Sequence, residues 1–166
     1  MKSMIFAILI FLMNGLASGQ GPAEPPASRA SASPDELDLR AVLSNYQNGL
    51  VKNDEKLFVS SLGKEMIMFS GNFSDDPTKW QAHLFLSGEN LENWATHFVK
   101  NVGPHSSRFE FLSFHVRNNA AIVVTREAGS NKFRQWKDER VTWLLGKQDG
   151  GWKIVGFFIR DLKNPG

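Results

Sequence analysis

The apolar positions of this chain change their spacing several times, and those changes divide it. Met4 to Met13 is an unbroken apolar run with no period, and Gln20 to Ala32 holds almost no large apolar side chain. Leu39, Val42, Leu43, Tyr46 and Leu50 then recur on one face of a helix. Ser33-Pro34-Asp35-Glu36 starts that helix, with a capping serine, proline at the first helical position and glutamate at the third. Asn53-Asp54 breaks it and caps a short second helix that carries Leu57, Phe58 and Leu62 and stops at Gly63. A third helix has Ser87 as its cap, Glu89 and Glu92 in or near its first turn, and a stripe of Leu91, Trp94, Ala95, Phe98 and Val99. Gly103-Pro104 lies beyond its end.

Between the second and third helices, Met66 to Phe69 suits a short buried strand and Trp80 to Leu86 a second one. Gly71 to Thr78 is turn-forming, with Asp76-Pro77 as its strongest loop signal. From Ser107 the spacing shortens to that of strands. Arg108 to Val116 and Ala120 to Glu127 flank a turn at Asn118-Asn119. Lys132 to Leu145 is long and bent, and Trp152 to Asp161 follows a hairpin at Gly146 to Gly151 that contains Asp149-Gly150. Three helices followed by four strands in hairpins predict an α+β fold built on a bent, mostly antiparallel sheet.

The first apolar run reads as a signal peptide over residues 1–19. Lys2 gives a positive start, Asn14-Gly15 ends the run, and Ala17-Ser18-Gly19 places small residues before a cleavage point at Gln20. A spanning helix needs about 20 apolar residues, and this run is about half that. The predicted organisation is a signal peptide over 1–19, a flexible Pro/Ala/Ser linker over 20–33 and one domain over 34–163. The expectation is an exported protein, periplasmic or secreted, with no stable membrane insertion after cleavage.

Composition removes whole classes of chemistry. The chain has no cysteine, which excludes disulfides, thiolate nucleophiles and cysteine–metal sites. Formal net charge is +2, with Lys and Arg dispersed among Asp and Glu, so no basic block marks a nucleic-acid surface. No Gly-x-Ser-x-Gly motif and no phosphate-cradling glycine loop is present. Asn72-Phe73-Ser74 is an acceptor sequence for N-glycosylation.

The order of these elements, with Gly49-Leu50-Val51-Lys52-Asn53-Asp54 closing the first helix, the aromatic third helix, Arg140-Val141-Thr142 and Asp149-Gly150-Gly151-Trp152-Lys153-Ile154-Val155, resembles the nuclear transport factor 2-like superfamily. Within it the resemblance is to the SnoaL-like group, a cystatin-like cone. It covers roughly Pro34 to Leu162. It implies a bent sheet wrapped around the long first helix, a pocket at the open end, and in many members a homodimer through the outer sheet face. The superfamily includes isomerases, dehydratases, cyclases, ligand binders and oligomerisation modules, so the fold alone selects no function. Many relatives carry histidine and serine in the last strand. Here Gly156, Phe157, Phe158, Ile159 and Arg160 stand there instead.

An isomerase-like mechanism needs a carboxylate or histidine base at the pocket. Asp138, Glu139 and Glu127 are the strand-borne carboxylates, and Asp138 alternates in phase with Trp136, Arg140 and Thr142. The same residues also fit a solvated cross-strand ion pair. His83, His97, His105 and His115 form no HxxxH or HxH pair, and a metal site is not expected. His115 lies in phase with Phe109, Phe111 and Ser113; both it and His97 fit either a pocket group or ordinary packing. Tyr46, the only tyrosine, fits either the core or a donor into the pocket. Arg126, Arg140 and Arg160 lie on successive strands and would bind an anion if two of them converged inside.

Five tryptophans and thirteen phenylalanines exceed what a minimal core needs, which suits an apolar cavity, a dimer face, or both. The expected catalytic candidates are His115 and Asp138. The expected ligand-binding residues are Tyr46, Trp80, Trp94, His97, Arg126, Trp136, Arg140 and Phe158, with no cofactor. The leading expectation is an exported homodimer holding a small, largely apolar ligand. One alternative is an isomerase, dehydratase or cyclase with His115 or Asp138 as base, and Arg140 and Trp136 positioning the substrate. The other is a dimeric structural or interaction module.

Overall fold

The computed structural model describes residues 32–69, 82–102, 106–133 and 135–161, with side chains described except at 82, 83, 102 and 159–161. The expected leader, most of the spacer, Trp80, His105 and the Asn72 sequon lie outside the described residues. Ser33–Gly166 forms one compact unit.

Helix α1 (Pro34–Val51) begins at the expected cap: the Ser33 hydroxyl accepts from the Glu36 amide at 3.2 Å. Arg40 reaches back to Glu36 at 2.7 Å, one turn earlier. Leu39, Leu43, Tyr46, Gly49 and Leu50 are buried, so the expected stripe is the packed face. Asn53 takes a left-handed φ of 54°, which turns the chain, and the Asp54 carboxylate caps α2 (Glu55–Ser61) by accepting from the Leu57 amide at 3.0 Å. Gly49 sets how closely α1 and α2 approach. A Cβ there would lie 2.6 Å from the Phe58 backbone nitrogen.

Gly63 does not end a helix, as the sequence pattern predicts. It is a buried residue of strand β1 (Leu62–Phe69), against the side chains of Gln148 and Val155, so the strand begins four residues earlier than its apolar run. Strand β2 (Ala82–Ser87) pairs antiparallel with β1 and is followed by α3 (Gly88–Val102). Leu91, Ala95 and Val99 are buried on α3, while the half-buried Trp94 and Phe98 stack at 5.0 Å.

Strands β3 (Ser106–Arg117), β4 (Ala120–Ser130), β5 (Gln135–Gln148) and β6 (Gly151–Asp161) complete a six-stranded sheet in the order β2-β1-β6-β5-β4-β3. All neighbours are antiparallel except β1 and β6, which run parallel. The β5–β6 turn is the expected one: Asp149 and Gly150 have φ of 51° and 84°, the two positive values of a tight hairpin turn. The fold is α+β, with a mixed sheet that does not close.

Helix α1 packs on the inner face of the sheet, against β6 and β3, and α3 lies against β1 and β2. Phe58, Leu39, Leu43, Met66, Val123, Val141, Trp143, Leu145 and Ile154 are fully or almost fully buried in one cluster between helices and sheet. Register shifts at Phe111/Ser113, Glu127/Gly129 and Leu144/Leu145 interrupt the ladders. Such irregularities bend a strand and re-aim the side chains beyond them. No described helix is long and apolar enough to cross a membrane.

Candidate functional site

The last two turns of α1 carry Tyr46, Gln47 and Leu50 on one side, and the sheet opposite them does not close over that end. A cavity of about 420 Å³ lies between them. Its walls are Met68 of β1, Phe98 of α3, Ser107 and Phe109 of β3, Val141 and Trp143 of β5, and Phe157 of β6. Asn131, Phe133 and Trp136 line it from the β4–β5 end, where Phe133 is 71% exposed. A broader hollow of about 510 Å³ beside the ends of β3, β4 and β5 shares Trp136 and Ser107 with it.

Four of the lining aromatics, Tyr46, Phe109, Trp143 and Phe157, form one connected set. The Trp143 ring lies 5.0 Å from Tyr46, 5.2 Å from Phe157 and 5.9 Å from Phe109, and Tyr46 lies 4.8 Å from Phe58. These separations are those of favourable aromatic pairs. The Gln47 side-chain amide donates to the Ser107 carbonyl and ties α1 to the start of β3.

Two carboxylates enter this apolar space. Glu127 and Glu139 are register partners on β4 and β5, are 9% and 5% exposed, and both line the cavity. A buried hydrogen-bond chain orients the first of them. The Trp143 indole donates to the Thr125 hydroxyl at 2.9 Å, and that hydroxyl donates to Glu127 at 3.1 Å. The hydroxyl thus accepts from the indole and gives its single proton to the carboxylate, which can only accept it. Burial, and second the Glu127 charge, push the Tyr46 hydroxyl well above its ordinary range. Tyr46 therefore stays protonated and can act as a donor, not as a phenolate base.

The sequence-predicted residues divide sharply. Tyr46 and Trp136 line the cavity. Trp94 stacks on Phe98, whose side chain lines it, but Trp94 does not line it itself. His97 is exposed and lies 3.0 Å from the Asn101 amide on the same helix. Phe158 faces outward, edge-on to Phe69 at 6.0 Å. Trp80 lies outside the described residues.

The four remaining candidates are corrected by strand phase. Arg126 and Arg140 are register partners and exposed, so they do converge, but on the outer face. Asp138 is there too, 3.3 Å from Arg126, which also lies 3.4 Å from Glu110. Asp138 does not share a face with Trp136, because β5 takes three steps from Trp136 to Glu139 where β4 takes two from Glu127 to Gly129. The extra residue turns Trp136 inward, over Gly129, where a Cβ would meet the indole at 2.7 Å. His115 loses its phase with Phe109 and Phe111 at the Phe111/Ser113 shift: Phe114 packs on the core and His115 is exposed.

In the sequence Glu127 and Glu139 stand only as available strand-borne carboxylates. The signal that distinguishes them is phase: Glu139 alternates with Val141, Trp143 and Leu145, and Glu127 with Thr125, Val123 and Ala121, all buried. Among the described residues no three His, Asp or Glu side chains are grouped so as to hold a metal ion.

No family model matches the sequence, and no curated protein matches it. Solved structures do. A domain of unknown function with a cystatin-like fold from Nostoc punctiforme is similar with a TM-score of 0.57 at 16% identity, over 79% of this chain and 79% of its own. A nuclear transport factor 2-like protein of unknown function from Shewanella baltica is similar with a TM-score of 0.51 at 16% identity, over 75% and 90%. Another from Pseudomonas putida gives 0.57 at 13% identity, over 75% and 84%. At such identities the likeness establishes the fold: this chain has the nuclear transport factor 2-like, cystatin-like fold.

Proposed function

We propose that this nuclear transport factor 2-like domain holds a small, largely apolar ligand in the cavity between α1 and the inner sheet face. The observation that carries the reading is the lining: a connected aromatic wall enclosing about 420 Å³, with a few buried polar groups set into it. The test is thermal unfolding against a panel of apolar small molecules. A ligand that binds only the folded state raises the midpoint by mass action. Met68→Trp, which fills the cavity from β1, is expected to abolish that rise. A panel that leaves the midpoint unmoved, or moves the filled variant equally, refutes the reading and favours a purely structural module.

A second reading has its own support. Glu127 and Glu139 form a buried carboxylate pair beside a protonated Tyr46, a set suited to proton transfer in an isomerase, dehydratase or cyclase. They take the role that the sequence suggested for His115 or Asp138. In this reading Glu139→Gln removes turnover of a bound substrate while leaving its binding intact.

The proposal extends to location and assembly. The leader-like residues 1–19 motivate export; the mature protein recovered from outside the cytoplasm is expected to begin at Gln20. The outer sheet face motivates a homodimer. One register row there runs Phe85, Ile67, Gly156, Leu144, Ile122, and the next runs Phe69, Phe158, Thr142, Val124. Phe85 is 53% exposed and Ile67, Phe69, Ile122, Val124, Thr142 and Phe158 are half-buried, while Gly156 and Leu144 are already buried within the protomer. A second copy would bury this patch, and Phe158→Glu is expected to halve the mass measured by light scattering. A monomeric parent protein would exclude the dimer.

A further inference from the structure

We infer that the hollow at the ends of β3, β4 and β5 is a second site, which binds a phosphate monoester between Arg108 and Lys137. It lies on the outer face of the sheet, across from the cavity under α1, and does not depend on what that cavity holds.

The register of the sheet builds the site. Phe109 and Glu127 are partners that line the cavity, so their neighbours Arg108 and Ala128, also partners, face outward. Lys137 of β5 falls in the irregularity opposite Ala128, between the pairs Glu127–Glu139 and Gly129–Trp136. The two cations therefore flank one small side chain, about 10 Å apart at the backbone, which is two strand spacings. Both side chains are long enough to meet above it. Ala128 and Gly129 keep the floor low, and a Cβ on Gly129 would meet the Trp136 ring at 2.7 Å. The result is the hollow of about 510 Å³ that both cations line. Strand β3 ends the described strand order, so no described strand covers Arg108 from the side. The row Glu110, Arg126, Arg140 separates the hollow from the apolar rows of the same face.

The lining has one sign of charge. Arg108 and Lys137 are exposed, no Asp or Glu is among the lining residues, and among the described residues neither cation has a carboxylate partner. Glu110 and Asp138, on the same face, are engaged by Arg126 at 3.4 and 3.3 Å. Like charges set across a sheet repel, and an anion between them removes that repulsion. Neutral donors stand in the next row. The Ser106 and Ser130 hydroxyls lie 3.1 Å apart, and Gln135 is the register partner of Ser130. One hydroxyl proton closes that hydrogen bond and the other is left for a ligand oxygen. A phosphate monoester matches the set. Its charge of about −1.5 to −2 balances two cations, where a carboxylate balances one. The guanidinium fork takes two of its oxygens, and the ammonium and hydroxyl share the third.

The test follows backbone amide NMR shifts of the full mature chain during titration with glycerol phosphate and with acetate. Glycerol phosphate is expected to give saturable shifts at Arg108, Ala128 and Lys137, and to bind at least about tenfold tighter than acetate. Arg108→Gln and Lys137→Gln should each weaken it by about tenfold or more, the scale of a hydrogen bond to a charged group, and Ser130→Ala by less. Arg140→Gln, on the same face and with the same loss of charge, should change it by no more than about twofold. An unchanged melting midpoint shows that each variant is folded. Phosphatidylcholine vesicles with and without phosphatidic acid distinguish the source of the phosphate. Co-sedimentation with phosphatidic acid alone, competed by glycerol phosphate, assigns a lipid headgroup; saturable shifts without co-sedimentation assign a soluble ester. Absence of saturable shifts at the three residues overturns the inference. So does an Arg140→Gln loss as large as that of Arg108→Gln, because the binding would then follow overall charge.

Discussion

Strands β4 and β5 carry charge in two neighbouring rows, and the rows meet opposite environments. Arg126 faces Arg140 across the ladder, and one step along Glu127 faces Glu139. The arginines are exposed, with Glu110 and Asp138 beside Arg126. The glutamates are buried in an aromatic cavity. Adjacent residues on the same strands thus belong to a solvated ion-pair network and to a candidate binding site. A strand's side-chain period is two, so one step changes the whole chemistry. Which carboxylate is interesting was therefore a question about the sheet's irregularities, more than about residue type.

The two faces differ most in what a truncation costs. Trp143→Ala removes a fully packed ring and the donor to Thr125, and is expected to lower stability by about 3–5 kcal/mol in urea unfolding. An intermediate effect is expected where the faces are set. Gly129→Ala puts a methyl against the Ser106 carbonyl and the Trp136 ring, which the structure holds at 2.3 and 2.7 Å from that position. It should cost about 1–3 kcal/mol and lower affinity for any cavity ligand by displacing Trp136. On the outer face, a double-mutant cycle of Arg126→Gln with Asp138→Asn is expected to give a coupling of no more than about 1 kcal/mol, reduced further by salt. A larger coupling there would erase the contrast between the rows.

The smallest effect concerns the far end of α1. The Asp35 carboxylate accepts from Lys147 at 2.9 Å and from the Trp152 indole at 3.0 Å, and these bonds lower its pKa from the ordinary 3.8. A depressed folded-state value means that the stabilisation is present above pH 3.8 and is lost as the pH falls through the folded value. The melting midpoint of the parent chain should therefore exceed that of Asp35→Asn at neutral pH. The gap should close in acid below about pH 3.8; a gap that persists there would assign it to something other than the carboxylate charge.

Local chemistry was legible in the sequence wherever one short stretch decides the outcome. Ser33-Pro34-Asp35-Glu36 starts α1, Asp54 caps α2, and Asp149-Gly150 makes the last hairpin turn. Tyr46 and Trp136 were legible as cavity residues. What the sequence concealed depends on pairing. Nothing near Trp136 announces the extra residue of β5 that separates it from Asp138, and nothing near Leu112 marks the shift that sends His115 outward. Gly63 reads locally as a helix stop, yet its place is set by Gln148 and Val155, far along the chain.

The parallel pairing of β1 with β6 has a consequence for the order in which this molecule can be made. Leu62 lies opposite Ile154, and Phe69 opposite Phe158, so the two halves of the described sheet meet only through β6, about 90 residues along the chain from β1 (Leu62 to Ile154). Contacts between such distant segments carry a large loop-closure cost and form slowly. Until β6 has emerged, β1 and β2 have no sheet to join, and the cavity lacks its Phe157 wall. A chain of this topology cannot complete its sheet until β6 is available, however early the other five strands have formed.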